Sequence, residues 1–181
     1  MFGTCTIDGS DYPVSQICMH ELDGALGVVK LDLLGLDSQQ LVTDTCAIAG
    51  IDYVTPDTLD FDDEAVWKSI AEDNSLIFQM ESDFGASIWQ RMTSDTTLAK
   101  VRGENFSWLN YFALANALIR PGCASFRDAV ANGERLVTGF TELDEFLSDT
   151  SGHIVFQEQL MRFSTQFCGY SGPESDGLRK M

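Results

Sequence analysis

Apolar and polar residues alternate singly from Val29 to Leu33, inside a run bounded by Gly27 and Gly35, and beyond Leu36 apolar residues recur every three or four places. In the run Gly27-Val28-Val29-Lys30-Leu31-Asp32-Leu33-Leu34-Gly35-Leu36, Val29, Leu31 and Leu33 fall on one face. Lys30 and Asp32 fall on the other, about 6.5 Å apart at strand rise. This pattern predicts a half-buried strand between two glycines. Residues 1–26 read as loops and short strands, with turn chemistry at Asp8-Gly9-Ser10-Asp11. After Gly35 the period lengthens from two to about 3.6, which predicts a mainly helical remainder. The boundary between the two regions falls near residues 36–40.

The helical stripes can be named. Leu41, Thr45, Ile48 and Ala49 form one, closed by Gly50. Asp60 to Glu64 place negative charge at the start of a helix carrying Val66, Trp67 and Ile70, where carboxylates suit the positive end of the helix dipole. Phe84, Ile88 and Met92 repeat at four. Trp108, Phe112, Ala115 and Ile119 repeat at four, three and four before Arg120-Pro121-Gly122 stops them. Phe156, Leu160, Phe163 and Phe167 do the same and stop near Gly169. Ser171-Gly172-Pro173-Glu174 is a capping-box pattern for a last helix containing Asp176, Leu178 and Arg179. That helix ends with the chain at Met181, which suggests a larger domain cut short. Gly122 to Gly139 reads as a loop-like, candidate mobile connection with a short helix at Phe126–Val130. Internal repeats and low-complexity tracts are absent.

Composition narrows the class. The chain has 181 residues, 44% hydrophobic and 10% aromatic. At this length roughly 70% of the unfolded surface can be buried, so the composition implies a globular protein with a core. No run nears the ~20 apolar residues of a membrane span. Met1-Phe2-Gly3-Thr4-Cys5 lacks the basic and apolar regions of a secretory signal, so a cytoplasmic location is expected. The five cysteines, Cys5, Cys18, Cys46, Cys123 and Cys168, are odd in number and read as reduced, mostly buried thiols. Cys18 and His20 have no second pair at zinc-ligand spacing. The net charge of −17 sits awkwardly with nucleic acid, because phosphate backbones are drawn to basic surfaces. Duplex DNA would then be gripped by other parts of a larger assembly; an acidic surface suited to high salt is a second reading.

A lone carboxylate and a lone ammonium side by side on a strand can hold a divalent metal and a phosphate together, the pairing that phosphoryl transfer needs. Four further segments follow in order: Phe78-Gln79-Met80-Glu81-Ser82, Leu118-Ile119-Arg120-Pro121-Gly122, Ile154-Val155-Phe156-Gln157-Glu158-Gln159-Leu160-Met161 and Leu178-Arg179-Lys180-Met181. With the strand, they resemble the alpha subunit of bacterial DNA polymerase III, the C-family replicative polymerase. The resemblance spans nearly the whole chain. It implies an α+β fold, with residues 1–37 the C-terminal part of the palm and 38–181 the N-terminal part of a mainly helical fingers region.

The resemblance also assigns roles. Asp32 matches the third of three palm aspartates that bind Mg²⁺ and is the expected catalytic and metal-ligating residue. Lys30 matches a lysine that reaches the nucleotide's phosphates. Arg179 and Lys180 match a basic pair facing the incoming nucleotide; the family usually has two arginines, and lysine keeps the charge but loses bidentate geometry. Gln79, Glu81, Gln157, Glu158 and Gln159 read as a polar network between fingers helices. Arg120 stands equally as a phosphate contact or a helix cap. His20 and His153 show no nucleophile partner at a recognisable spacing.

The family's first two metal aspartates, its Gly-Ser triphosphate loop and the Gly-Lys-Lys after the basic pair have no counterpart here. Neither do its PHP, thumb, helix-hairpin-helix, OB and 3′–5′ exonuclease regions. One carboxylate cannot hold two magnesium ions. The isolated chain is therefore expected not to polymerise DNA, and its implied partners are primer-template DNA, a deoxynucleoside triphosphate and a complementary palm-containing chain, with no membrane. Two other readings stand beside this one: a non-catalytic remnant serving as an interaction module, and, from the charge alone, an acidic DNA mimic.

Overall fold

The computed structural model describes residues 2–18, 21–22, 31 and 35–180. The chain divides into two units, Met1–Val54 and Thr55–Met181. The fold is mainly helical α+β, as the change of period predicts.

The first unit begins with an antiparallel hairpin of β1 (Phe2–Ile7) and β2 (Ser10–Ser15). Asp8 and Gly9 form its two-residue turn with φ of +50° and +79°. These left-handed values belong to a type I′ turn, whose twist suits a hairpin. Thr6 opposes Asp11 and donates its hydroxyl to that carboxylate at 2.5 Å. Counting outward from the Ile7–Ser10 pair places Pro13 at a position that makes no ladder bond, so its missing N–H costs nothing there. Helix α1 (Asp37–Ala49) ends at Gly50, φ +66°, as its sequence predicts. The Gly50 N–H reaches the Ala47 carbonyl at 3.3 Å and the Ile51 N–H reaches Cys46 at 3.1 Å, the paired bonds of a Schellman ending. Cys46 is its buried residue; Leu41 and Ile48 of the predicted stripe are exposed. The thiols are not mostly buried as expected: Cys46 and Cys123 are, while Cys5, Cys18 and Cys168 lie on exposed polar stretches. The alternating segment around Lys30 and Asp32 lies outside the described residues, as does His20. Leu31 within it is described, in neither helix nor strand, and 81% exposed.

In the second unit, side chains cap the first four α-helices at their starts. Asp63 accepts from the Ala65 N–H at 2.9 Å to begin α2 (Glu64–Glu72). Ser82 accepts from Gly85 at 3.0 Å to begin α3 (Asp83–Met92). Ser94 and Ser107 accept at 3.4 Å to begin α4 (Asp95–Val101) and α5 (Trp108–Leu118). Each cap satisfies an amide that the first turn leaves unpaired, typically stabilising a helix by about 1 kcal/mol. The chain continues through α6 (Arg127–Ala131), α7 (Thr141–Phe146), α8 (Gln157–Phe167) and α9 (Gly172–Arg179).

The core is aromatic. Trp89 on α3 is 0% exposed; its ring lies 6.4 Å from Trp67 on α2, 6.3 Å from Trp108 on α5 and 5.0 Å from Phe112. The polar handles are satisfied. The Trp89 indole N–H donates to the Trp67 carbonyl at 3.0 Å, and the Trp67 indole donates to Phe61 at 2.8 Å. The Tyr111 hydroxyl donates to the Met92 carbonyl at 3.0 Å, and burial pushes its pKa up. Met80, Ile88, Met92, Leu114 and Leu118 fill the remaining space.

The loop-like connection after Gly122 is anchored to this core. Val130 and Ala131 of α6 are buried, and Arg127 donates to the carbonyls of Leu118 and Arg120. A guanidinium there both pairs the last carbonyls of α5 and suits the negative end of its dipole. Further on, Gly152 has φ +86°, and an added Cβ would overlap the Leu136 carbonyl oxygen and lie 2.9 Å from the Leu136 carbonyl carbon. Gly152→Ala is therefore expected to cost about 3 kcal/mol, from the left-handed penalty and the overlap together. Urea unfolding of the 181-residue chain would measure it; a loss under 1 kcal/mol would show that the turn yields freely. No helix among the described residues is long and apolar enough to cross a membrane.

Candidate functional site

Arg179 and Lys180 are positioned by how α9 is built. The Glu174 carboxylate accepts the Ser171 backbone N–H at 2.9 Å and its hydroxyl at 2.6 Å, closing the first turn as the capping-box pattern predicts. These bonds hold the Glu174 carboxyl below its ordinary pKa. Ser175 is buried and donates its hydroxyl to the Met161 carbonyl at 2.8 Å, which locks α9 onto α8. With Ser175 facing α8, Asp176, Arg179 and Lys180 come together at the open end of the helix. The Asp176 carboxylate takes the Arg179 Nε at 2.9 Å and Nη2 at 2.8 Å on Oδ1, and the Lys180 Nζ at 2.7 Å on Oδ2. The lysine and arginine bonds hold the Asp176 carboxyl below its usual range. Asp176 was missed as a site residue, although its spacing of three and four from the two cations is the helical ion-pair spacing.

Three of the ordered segments meet elsewhere in the same unit. A groove of about 990 Å³ is lined by Phe78 from the first, Arg120 and Gly122 from the second, and Ile154 to Glu158 from the third. Met80 is buried beneath the first segment, and Gly85 faces Ile119 so closely that a Cβ would lie 3.2 Å from its Cδ1. Gln79 takes φ +63°, unusual for a residue with a side chain, and its Oε1 accepts from Arg120 Nη2 at 3.4 Å. Arg120 is exposed; the end of α5 is capped by Arg127, so the Arg120 side chain stands at the groove rather than as a cap.

The polar network expected to join Gln79, Glu81, Gln157, Glu158 and Gln159 does not form: Gln79 bonds Arg120, and Gln159 bonds its own local segment. The Gln159 Oε1 accepts the N–H groups of Val155 at 2.9 Å and Phe156 at 3.0 Å. Its Nε2 donates to the Thr150 hydroxyl at 2.8 Å, and that hydroxyl donates to the His153 carbonyl at 2.6 Å. Gln157 and Glu158 are exposed and face the groove. The His153 ring lies flat on Phe126 at 4.3 Å, and desolvation lowers its pKa.

Most described cations are already engaged. Lys68, Arg91 and Arg102 pair with Glu64, Asp95 or Asp128, and Lys100 and Arg135 donate to backbone carbonyls. Arg102 also lies 5.0 Å over Trp108. Among the described residues there is no group of three or more His, Cys, Asp or Glu side chains that could hold a metal ion. Asp32 and Lys30 lie outside those residues.

The family model of the bacterial DNA polymerase III alpha subunit finger domain matches residues 39–181. The DNA polymerase III subunit alpha of Thermotoga maritima is 27% identical over 172 residues, covering 94% of this chain and 18% of the relative. Those of Saccharopolyspora erythraea and Bacillus subtilis are each 29% identical, over 189 and 175 residues, covering 96% and 92% of this chain and 14% of each relative. The chain therefore spans less than a fifth of the length of these relatives.

Proposed function

Since the chain belongs to the bacterial DNA polymerase III alpha subunit finger-domain family, we propose that it is part of a DNA-directed DNA polymerase acting in the cytoplasm. In this reading residues 1–37 are the end of the palm and 38–181 the start of the fingers. The family match over residues 39–181 carries the proposal. The meeting of three sequence segments at one groove supports it.

Asp32 is the metal ligand and Lys30, Arg179 and Lys180 bind the phosphates of the incoming nucleotide. Asp32, with the carboxylates of the complementary palm, would hold magnesium, which would supply activation of the primer 3′ hydroxyl and charge neutralisation at the triphosphate. The described residues do not by themselves fit such a site, because they contain no carboxylate cluster. In this reading Asp32 is the ligand that this chain supplies, and the other two palm aspartates come from the complementary palm-containing chain. Lys30 and Lys180 act as point charges, whereas Arg179 is able to fork two donors onto phosphate oxygens.

The test is complementation. The purified chain and a polypeptide supplying the upstream palm are assayed separately and together for extension of a primed template. Extension that needs both is the expected result. No extension by the mixture, or extension that continues when this chain is left out, would refute the proposal and leave the chain as an interaction module.

A further inference from the structure

Arg179 and Lys180 are not presented to solvent as two free cations. Both close on Asp176, which gives up each of its carboxylate oxygens to one of them. The arginine edge that holds the carboxylate, Nε with Nη2, is an edge well shaped to grip two phosphate oxygens. The three side chains remain solvent-accessible, 35% for Asp176, 34% for Arg179 and 62% for Lys180, so an anion is able to reach them. Ion pairs exposed to this degree are weak. A carboxylate near the last turn of a helix is also disfavoured by the dipole that suits the two cations. Its place there is accounted for by the pair it holds.

We infer that Asp176 is a built-in competitor for the triphosphate: its carboxylate occupies the seat between Arg179 and Lys180 that a phosphate group takes when a nucleotide binds. The inference rests on the proposed role of the basic pair and adds a selection rule to it. A polyanion with several charges displaces one tethered carboxylate, and a singly charged phosphate ester does so poorly. The pair is thereby kept from binding indiscriminately until a triphosphate arrives. Asp176 is a positioning residue, since it acts through the two cations.

The probe is inorganic tripolyphosphate, titrated calorimetrically into the 181-residue chain at low salt. Asp176→Asn is expected to bind it about 5-fold tighter than the unaltered chain, the release of two exposed ion pairs. Its affinity should also fall more steeply with added salt, because more counterions are released. Inorganic phosphate should gain proportionally more than tripolyphosphate. Asp176→Ala, which suits a helix better, should behave alike if the asparagine disturbs α9. Equal or weaker binding by both variants would overturn the inference, and so would undetectable binding by all forms. Adding Arg179→Gln separates the two claims. If it weakens binding while the Asp176 variants change nothing, the basic pair is a phosphate site without a competitor. If it changes nothing in any background, the nucleotide role of the pair fails as well.

Discussion

Asp32→Asn is expected to abolish DNA synthesis by the complemented polymerase, lowering primer extension by about 10³-fold at saturating nucleotide. Asparagine keeps the shape of the side chain and removes its charge. A magnesium ion in an oxygen site is held largely by that charge, and the transition state develops further negative charge beside it. Loss of one preorganised electrostatic group commonly costs roughly 10²–10³-fold, and a direct metal ligand belongs at the upper end or beyond. The loss should appear equally in kcat and kcat/KM, because the interaction is made in the transition state. Single-nucleotide incorporation on a primed template measures it. The three tryptophans all belong to the second unit, so their near-ultraviolet signal reports the fold of that unit, and co-purification with the palm-containing chain reports on the first unit, which holds Asp32. A folded variant that keeps its activity would remove Asp32 from the metal site.

Trp89→Ala is expected to cost about 4 kcal/mol of folding stability. The indole is fully buried and touches the rings of Trp67, Trp108, Tyr111 and Phe112. Truncation empties the centre of the cluster, where four aromatic rings lose their shared neighbour. It also removes the indole N–H bond to the partly buried Trp67 carbonyl. Domains of this size have about 5–15 kcal/mol in all, so the variant should be largely unfolded in mild denaturant. The urea midpoint gives the value if the slope is unchanged. A loss below about 1.5 kcal/mol would show that the aromatic cluster is not the centre of the unit.

The sequence carried much of this fold in local signals. Asp-Gly predicted the hairpin turn, Gly50 the end of α1, and Arg120-Pro121-Gly122 the end of α5. The helices α4 and α7 were not anticipated. Each is under two full turns, too short for a 3.6-residue period to declare itself, and α7 has no side-chain cap. The stripe of Leu41 and Ile48 is helical as its period predicts, yet both residues are exposed, since periodicity shows that a face exists and not whether anything covers it. The linear order of the sequence segments pointed to the family. Their meeting at one groove depends on how α5 and α8 are placed in space, which no spacing along the chain encodes. Asp176 is the opposite case: its pairing with Arg179 and Lys180 is legible from helical spacing of three and four alone.

Gln159 has one further consequence. Its amide oxygen must receive two hydrogens while its nitrogen gives one to Thr150, so the group has a fixed sense and cannot be turned end for end. A glutamate of identical outline would still receive but, ionised, has nothing to give. Thr150 would then swing its own hydrogen toward the acid and abandon His153. Hydrolysis of this single amide with age would thus untie the bend that leads into α8, with no change in the bulk of the side chain.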